Sequence, residues 1–150
     1  MTFEDKLVLN APAAEVWALL LDVNRFAACM PGVDEVHQID DRTFDGVMTA
    51  RVGPVAGKFA FRAEIVESDP PRQLAAKVEG TDSITKSKLV ADMGMTLTPL
   101  EERRTELAHK ATVEMQGRLA ILGDMVMRAT ASLLIDEFGK RLRQQLEAGN

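Results

Sequence analysis

Few residues of this sequence have the types and the spacing that catalysis requires. The two histidines, His37 and His109, and the one cysteine, Cys29, lie far apart along the chain, whereas a metal site needs three or four suitable ligands. Paired acids such as Asp40-Asp41 fall in predicted turns, where they are ordinarily solvated. No serine lies in a nucleophile elbow, and the chain has no tyrosine to act as a general acid. We therefore predict no catalytic residue, no metal site and no cofactor, in a protein that is not itself an enzyme.

The side chains best suited to binding a ligand are apolar and flexible. Methionines lie on one face of two predicted strands and continue on a predicted C-terminal helix, namely Met93, Met95, Met115, Met125 and Met127. Methionine is flexible and polarisable, so a space lined by it adapts to a flat or a long apolar ligand. Ordinary core packing is the alternative role of each one.

Three further residues are candidates for the same site. His109 lies on an apolar strand face, where it could donate a hydrogen bond to a ligand carbonyl oxygen; the commoner alternative is a core histidine bonded to a backbone carbonyl. Phe26 and Met30 flank the turn at Pro31-Gly32, where they could form the mouth of a cavity or simply pack the interior.

Composition limits the class of protein. The chain has 150 residues, of which 46% are hydrophobic and 27% charged, with a net charge of −5. These values predict one globular domain over residues 1–150 and disfavour nucleic acid as a partner. A single cysteine fits a reducing compartment. The N-terminus lacks a secretion signal, and no apolar run reaches the roughly 18 residues of a membrane span, so we expect a soluble, cytoplasmic protein.

The hydrophobic pattern predicts the order of elements. A strand over Phe3 to Leu9 precedes a helix that starts at Pro12, and a second short helix covers Asn24 to Cys29. Alternation with period two then continues for about eighty residues, which indicates antiparallel strands with one apolar face. The predicted turns are Asp40-Asp41, Gly53-Pro54, Asp69-Pro70-Pro71, Gly80-Thr81-Asp82 and Pro99 to Arg104.

The period changes to that of a helix near Arg118. Apolar residues recur at three- and four-residue steps, at Leu119, Leu122, Val126, Ala129 and Leu133. This spacing predicts one amphipathic helix of about 28 residues, about 42 Å long. Gly123 would lie inside it, at a cost of about 1 kcal/mol relative to alanine.

Together these elements predict an α+β fold in which a curved antiparallel sheet of about seven strands wraps round the long C-terminal helix. The apolar face of the sheet must be covered, and only that helix is long enough to cover it. We expect a ligand cavity between the two. Its predicted lining is Met93, Met95, His109, Met115, Leu122, Val126 and Met127, with Phe26 and Met30 at the mouth.

Four segments, in this order, resemble the START-like helix-grip superfamily (SRPBCC domains) and, within it, the CoxG family of carbon monoxide dehydrogenase subunits. Ala11 to Trp17 is similar to the first helix, and Met30-Pro31-Gly32-Val33 to the turn after the second helix. Val52 to Phe59 resembles the glycine-proline hairpin, and Gly117 to Gly123 the start of the final helix. The four segments span nearly the whole chain.

The resemblance implies an accessory protein that binds a lipophilic small molecule, with a quinone as the expected ligand. Its implied partners are the subunits of a carbon monoxide dehydrogenase-like molybdenum hydroxylase. Many relatives carry a C-terminal extension for membrane attachment, which is either absent from this protein or lies beyond Asn150; for the chain as given we expect at most peripheral contact with the inner face of the membrane. A homodimer stays open, as do two other functions: an enzyme of the same fold acting on an apolar substrate, and a cavity-free maturation or cochaperone module.

Overall fold

The computed structural model describes residues 1–147, in which seven strands form one antiparallel sheet beside three α-helices. The strand order is β1-β7-β6-β5-β4-β3-β2. In chain order the elements are β1 (Thr2–Leu9), α1 (Ala13–Leu21), α2 (Val23–Cys29), β2 (Val33–Gln38), β3 (Thr43–Val52), β4 (Val55–Asp69), β5 (Gln73–Asp82), β6 (Ser87–Glu101), β7 (Arg104–Gln116), a 3-10 helix (Arg118–Leu122) and α3 (Asp124–Glu147). The predicted α+β helix-grip fold is confirmed. Asn150, where the sequence ends, lies outside the described residues.

The two short helices begin close to their predicted positions. Pro12 precedes the first residue of α1, as expected for its fixed φ. Helix α2 begins one residue earlier than predicted, because the Asp22 carboxylate accepts hydrogen bonds from the backbone N–H groups of Asn24 (3.1 Å) and Arg25 (3.2 Å). After α2, the chain turns at Gly32, which has a φ of 86° and lies so close to β3 that only glycine fits there.

Two predicted turns are placed differently by the structure. Gly80, Thr81 and Asp82 still belong to β5, and the turn to β6 covers residues 83–86. The Asp82 carboxylate explains this, because it accepts hydrogen bonds from the Ile84 N–H and the Thr85 hydroxyl, both at 2.9 Å, and so organises the residues after it. Strand β6 runs through Pro99 to Glu101, with a shift of register that bends the strand.

The prediction of one unbroken C-terminal helix from Arg118 is wrong. Gly123 adopts a φ of 87° and ends the 3-10 helix, and α3 starts after it with 24 residues, about 36 Å in length. A Cβ atom at Gly123 would meet nothing within 4 Å, so this glycine is needed for its backbone conformation and not for close packing. Gly117, with a φ of 94°, precedes the same segment.

The core consists of two clusters at opposite ends of α3. The first cluster lies under α1, α2 and the C-terminal half of α3, and its large members include Leu9, Val16, Leu19, Leu97, Leu107, Phe138 and Leu142. The second cluster lies at the start of α3 and contains Val52, Phe59, Leu119 and Met127. Between the clusters, no side chain of α3 residues 128–137 is fully buried. Leu133, predicted to be apolar core, is 72% exposed because it lies on the outer face of the helix.

Candidate functional site

Small side chains occupy the middle of the sheet face that α3 covers. In the β-sheet register, Ala111 on β7 lies opposite Met93 on β6, which lies opposite Ala76 on β5. The neighbouring row places Val78 on β5 opposite Ala63 on β4. All five residues are only half-buried, although their face is the apolar one. The floor between the two clusters is therefore apolar and incompletely filled.

Helix α3 lies across this part of the sheet and packs into the core at each of its two ends. Its N-terminal end is held by Met127 in the second cluster, and its C-terminal half by Phe138 and Leu142 in the first. The residues between them include Leu134 and Ile135, both half-buried. Because the floor residues and the facing residues of α3 are all only half-buried, the helix does not pack tightly on the middle of the sheet, and we infer a central gap there. This gap, between β5, β6, β7 and the middle of α3, is the candidate ligand site.

The structure divides the predicted lining residues into three groups. Four of them pack in or against the second cluster, namely Met115, Leu122, Val126 and Met127. Three pack against the first cluster, namely Met95, Phe26 and Met30. Only Met93 and His109 lie between the clusters, in the central gap or at its edge. The proposed contact of these nine residues with a ligand stays a prediction.

Two details qualify the predicted methionine lining and cavity mouth. The ring of Phe26 meets that of Phe138 edge to face, with centroids 5.7 Å apart, which gives Phe26 a packing role between α2 and α3. Met125, expected to converge with the other methionines, is 86% exposed at the start of α3. That expectation is wrong, because the break at Gly123 changes the direction in which the first turn of α3 faces.

The central gap has one ionisable pair at its edge. Asp5 on β1 lies directly opposite His109 on β7, and both belong to the apolar face of the sheet. Burial lowers the pKa of His109, and the negative charge of Asp5 opposes this shift. Within residues 1–147, no protein group forms a hydrogen bond with the His109 imidazole. At neutral pH this imidazole is therefore uncharged, with one donor and one acceptor nitrogen free for a ligand.

Sequence reasoning missed Asp5 as a site residue. The signal was present in the alternation of β1, where Asp5 shares its face with Phe3, Leu7 and Leu9. Asp5 is exposed on the edge strand, and its position opposite the half-buried His109 is what makes it a candidate.

A cleft between β1 and α3 leads from solvent to this pair. Its volume is about 720 Å³, and its lining includes Asp5, His109, Ile135, Asp136, Lys140 and Arg143. The strand and the helix approach each other closely at one side of the cleft, where a Cβ atom on Gly139 would lie 3.6 Å from Leu7 Cδ1. At the other side the guanidinium of Arg128 lies 5.5 Å from the ring centroid of Phe3.

A second surface stands out at the opposite end of the gap. Ile84 in the β5–β6 turn, Ile121 in the 3-10 helix and Met125 are 78%, 83% and 86% exposed, respectively. The turn and the 3-10 helix are joined by a hydrogen bond of 3.0 Å from the Leu119 N–H to the Ser87 hydroxyl oxygen. We call the surface formed by Ile84, Ile121 and Met125 the apolar tip.

The segments around the apolar tip are basic, although the chain as a whole is acidic. Residues 51–58, 83–88 and 117–125 contain five exposed basic residues and one acidic residue, which are Arg51, Lys58, Lys86, Lys88, Arg118 and Asp124. A Cβ atom at Gly53 would lie 3.1 Å from Val126 Cγ1 and one at Gly57 would lie 3.5 Å from Leu119 Cδ1, so residues 51–58 lie beside residues 117–126. This end of the molecule therefore combines exposed apolar side chains with positive charge.

Other ionisable groups are placed away from the gap. Hydrogen bonds lower the pKa of Asp40, Asp45 and Asp82, which lie in or near turns and strand edges. Burial raises the pKa of the Cys29 thiol, which lies in the first core cluster. Among residues 1–147, no three His, Cys, Asp or Glu side chains converge as metal ligands. No helix of that same range is both long enough and apolar enough to span a bilayer.

Solved structures of other proteins share this architecture. A conserved protein from Geobacillus kaustophilus superposes with a TM-score of 0.91 at 22% identity, over 99% of this chain and 96% of that one. A START superfamily protein from Mycobacterium smegmatis gives 0.78 at 11% identity, over 99% of both chains. The ZhuI aromatase/cyclase from Streptomyces sp. R1128 gives 0.66 at 19% identity, over 100% of this chain and 98% of that one. At these identities the likeness shows a shared START-like fold.

The sequence comparisons are more specific. No curated protein matches the sequence. The CoxG family of carbon monoxide dehydrogenase subunits matches residues 6–147, which is nearly the whole chain. With this match and the helix-grip architecture described above, the chain belongs to the carbon monoxide dehydrogenase CoxG family of START-like proteins.

Proposed function

We propose that this protein is a non-catalytic accessory protein that holds a lipophilic small molecule between its sheet and α3. The observation that carries the proposal is the half-burial of apolar residues between the two core clusters. Ala76, Met93 and Ala111 lie on the covered face of the sheet, yet they are only half-buried beneath the middle of α3. A cavity-free interaction module would have no reason to leave such a gap in its core.

The physical mechanism is sequestration of the ligand from water. Burial of apolar surface contributes about 25 cal/mol per Å², so a ligand that buries about 300 Å² gains about 7 kcal/mol. Loss of translational and rotational freedom offsets part of this gain, and one or two polar contacts orient the ligand. His109 is the predicted residue for such a contact, because its imidazole lies at the edge of the gap.

The expected ligand is a quinone, and the expected partner is a carbon monoxide dehydrogenase-like molybdenum hydroxylase. The name of the family supports the association with that enzyme. A quinone has the required chemistry, since it combines a flat apolar ring with carbonyl oxygens that accept hydrogen bonds from an imidazole N–H. In this account the enzyme performs the oxidation, and the present chain binds the lipophilic molecule.

We also infer that the protein is cytoplasmic and contacts the membrane only peripherally, through the apolar tip. Exposed isoleucine and methionine side chains can insert at the level of the lipid headgroups, and the basic residues around them favour an anionic surface. The same end carries the half-buried residues Leu122 and Val126, which continue from the tip into the second core cluster.

The experiment that tests the binding function is extraction of the purified protein with organic solvent, followed by mass spectrometry of the extract. The ligand-free protein is then titrated with menadione, a naphthoquinone without a long side chain. A lipid or quinone in the extract, or saturable binding of menadione, supports the proposal. An empty extract together with no binding of menadione contradicts it.

A further inference from the structure

The opening between β1 and α3 contains hydrogen-bonding groups whose chemistry restricts the ligand. Asp5 and His109 lie directly opposite each other on adjacent strands, and both line the cleft, with Asp5 exposed and His109 half-buried. Side chains directly opposite in an antiparallel pair have Cβ atoms about 5 Å apart, so one small ligand group can reach both.

Asp5 can only accept hydrogen bonds. Its carboxylate oxygen Oδ1 accepts the backbone N–H of Lys6 at 2.8 Å, which holds the side chain at the free edge of β1. An ionised carboxylate has about four acceptor sites in total, so others remain open toward the cleft. A ligand group that meets Asp5 favourably must therefore donate a hydrogen bond.

His109 supplies the complementary group. Its imidazole is uncharged at neutral pH, because it is half-buried beside the central gap, and it therefore has one N–H donor and one acceptor nitrogen. A hydroxyl group both donates and accepts, so it can donate to Asp5 while it accepts from His109. A carbonyl or ether oxygen only accepts, and it would face the negative charge of Asp5 without a proton between them.

The remaining charged groups of the cleft come from α3 and from the outer face of β1. Asp136 adds a second carboxylate, whereas Lys140 and Arg143 follow one and two turns further along the helix. Lys6 belongs to the other face of β1. The cleft thus combines carboxylates with cations, and Asp5 is the carboxylate that lies directly opposite His109; the other acidic lining residues are Asp136 and Glu147.

We propose that this opening holds the polar end of the ligand and that Asp5 and His109 select a ring hydroxyl, as in a phenol or a hydroquinone, over a carbonyl or an ether. The inference rests on the proposed function, since it names the ligand chemistry that the central gap admits. It predicts that the reduced form of a quinone binds more tightly than the oxidised form.

The test uses two probes of nearly equal size, 2-naphthol and 2-methoxynaphthalene, which differ in whether the ring oxygen can donate a hydrogen bond. Equilibrium dialysis measures both dissociation constants for the wild-type protein, for Asp5→Asn and for Glu4→Gln. Glu4 is the matched control, because it precedes Asp5 on the same strand but faces the other way, 3.5 Å from Lys110. Thermal unfolding confirms that the variants are folded.

We expect the wild-type protein and Glu4→Gln to bind 2-naphthol about tenfold more tightly than the ether, and Asp5→Asn to reduce this preference to about threefold or less. Equal binding of both probes by the wild-type protein, or an unchanged preference in Asp5→Asn, overturns the inference and leaves the proposed function intact. Failure of both probes to bind overturns this inference, and the extraction and menadione titration described above decide the proposed function separately.

Discussion

Asp5 and His109 lie directly opposite each other on β1 and β7, on the face of the sheet that α3 covers. This is the one acid–imidazole pair that the structure places at the edge of the central gap among residues 1–147. Its position gives an otherwise apolar site a polar end. The effect of Asp5 on the site can be measured through the pKa of His109, and this measurement requires no knowledge of the ligand.

The first prediction concerns the titration of His109. Because burial lowers its pKa in the folded protein, this imidazole should stay neutral to a lower pH than the value of 6.5 for an unperturbed histidine. Asp5→Asn should lower the pKa further, since it removes the negative charge that opposes the shift. NMR titration of the imidazole carbon-bound protons measures both values. A pKa above 6.5, or an upward shift in Asp5→Asn, would contradict this description of the pair.

The same shift predicts a pH dependence of stability. A group whose pKa is lower in the folded state contributes stability above its unfolded pKa, and this contribution is lost as the pH falls through the folded value. The free energy of unfolding should therefore decrease below about pH 6.5 more steeply in the wild-type protein than in His109→Leu. Urea denaturation at several pH values measures the difference between the two curves.

The second prediction concerns the break between the 3-10 helix and α3. Gly123→Ala should destabilise the protein by about 1–3 kcal/mol, because the φ of 87° and ψ of 167° belong to a region that essentially only glycine adopts. Gly94→Ala is the matched control, since a Cβ atom at either glycine meets nothing within 4 Å but Gly94 has no positive φ. If Gly123→Ala and Gly94→Ala lower the free energy of unfolding in urea equally, alanine adopts the backbone conformation of Gly123 without strain and the prediction is wrong.

The third prediction concerns the attachment of the 3-10 helix to the sheet. Ser87→Ala removes the hydroxyl whose oxygen accepts the Leu119 N–H at 3.0 Å and which lies 2.9 Å from the Thr85 hydroxyl oxygen, to which it can donate. The Leu119 N–H is then left buried without a partner, which should cost about 1–3 kcal/mol of folding free energy. Ser83→Ala, in the exposed part of the same turn, should change stability by less than about 0.5 kcal/mol. If Ser87→Ala lowers the free energy of unfolding no more than Ser83→Ala does, the hydrogen bond from Leu119 to Ser87 does not stabilise the attachment of the 3-10 helix to the sheet.

The fourth prediction tests the apolar tip as a membrane contact. Sedimentation with vesicles should show binding to a mixture of phosphatidylcholine and phosphatidylglycerol that falls with added salt, and weaker binding to phosphatidylcholine alone. Ile121→Ser should weaken the binding by about tenfold, because it removes one of the inserting side chains.

Leu133→Ser provides the control for this experiment. Leu133 is also a highly exposed large apolar residue, but it lies in the middle of α3, away from the tip. Its substitution should leave vesicle binding unchanged. If both variants lose binding equally, or if the wild-type protein does not sediment with anionic vesicles, the assignment of this surface is wrong.

Much of the fold could be predicted from the sequence, because burial follows local periodicity in the strands. The alternation of Leu89, Met93 and Leu97 with charged and polar residues is enough to identify the covered face of β6. The break at Gly123 could not be predicted in this way, since the apolar spacing of Leu119, Leu122 and Val126 continues through it. That break depends on a backbone conformation that glycine permits but does not require.

The candidate site was predicted less completely than the fold. The periodicity of a strand shows which face of the sheet a methionine occupies, but it does not show which part of that face packs against α3. Met115 and Met127 therefore share the covered side with Met93, yet they pack in or against the second core cluster, whereas Met93 faces the central gap. The pairing of Asp5 with His109 depends on the β1–β7 register, which joins two strands far apart in the sequence and has no local sequence signal.

The central claim is that the gap over Ala111 receives an apolar ligand, and the most direct measurement is a menadione titration of two leucine variants. Ala111→Leu adds three carbons to the floor of the gap, whereas Ala108→Leu adds the same three carbons to the opposite face of the same strand. The account predicts that Ala111→Leu weakens menadione binding by about tenfold or more, at undiminished thermal stability, and that Ala108→Leu binds like the wild-type protein. Unchanged binding in Ala111→Leu would show that the ligand lies elsewhere and would contradict the account.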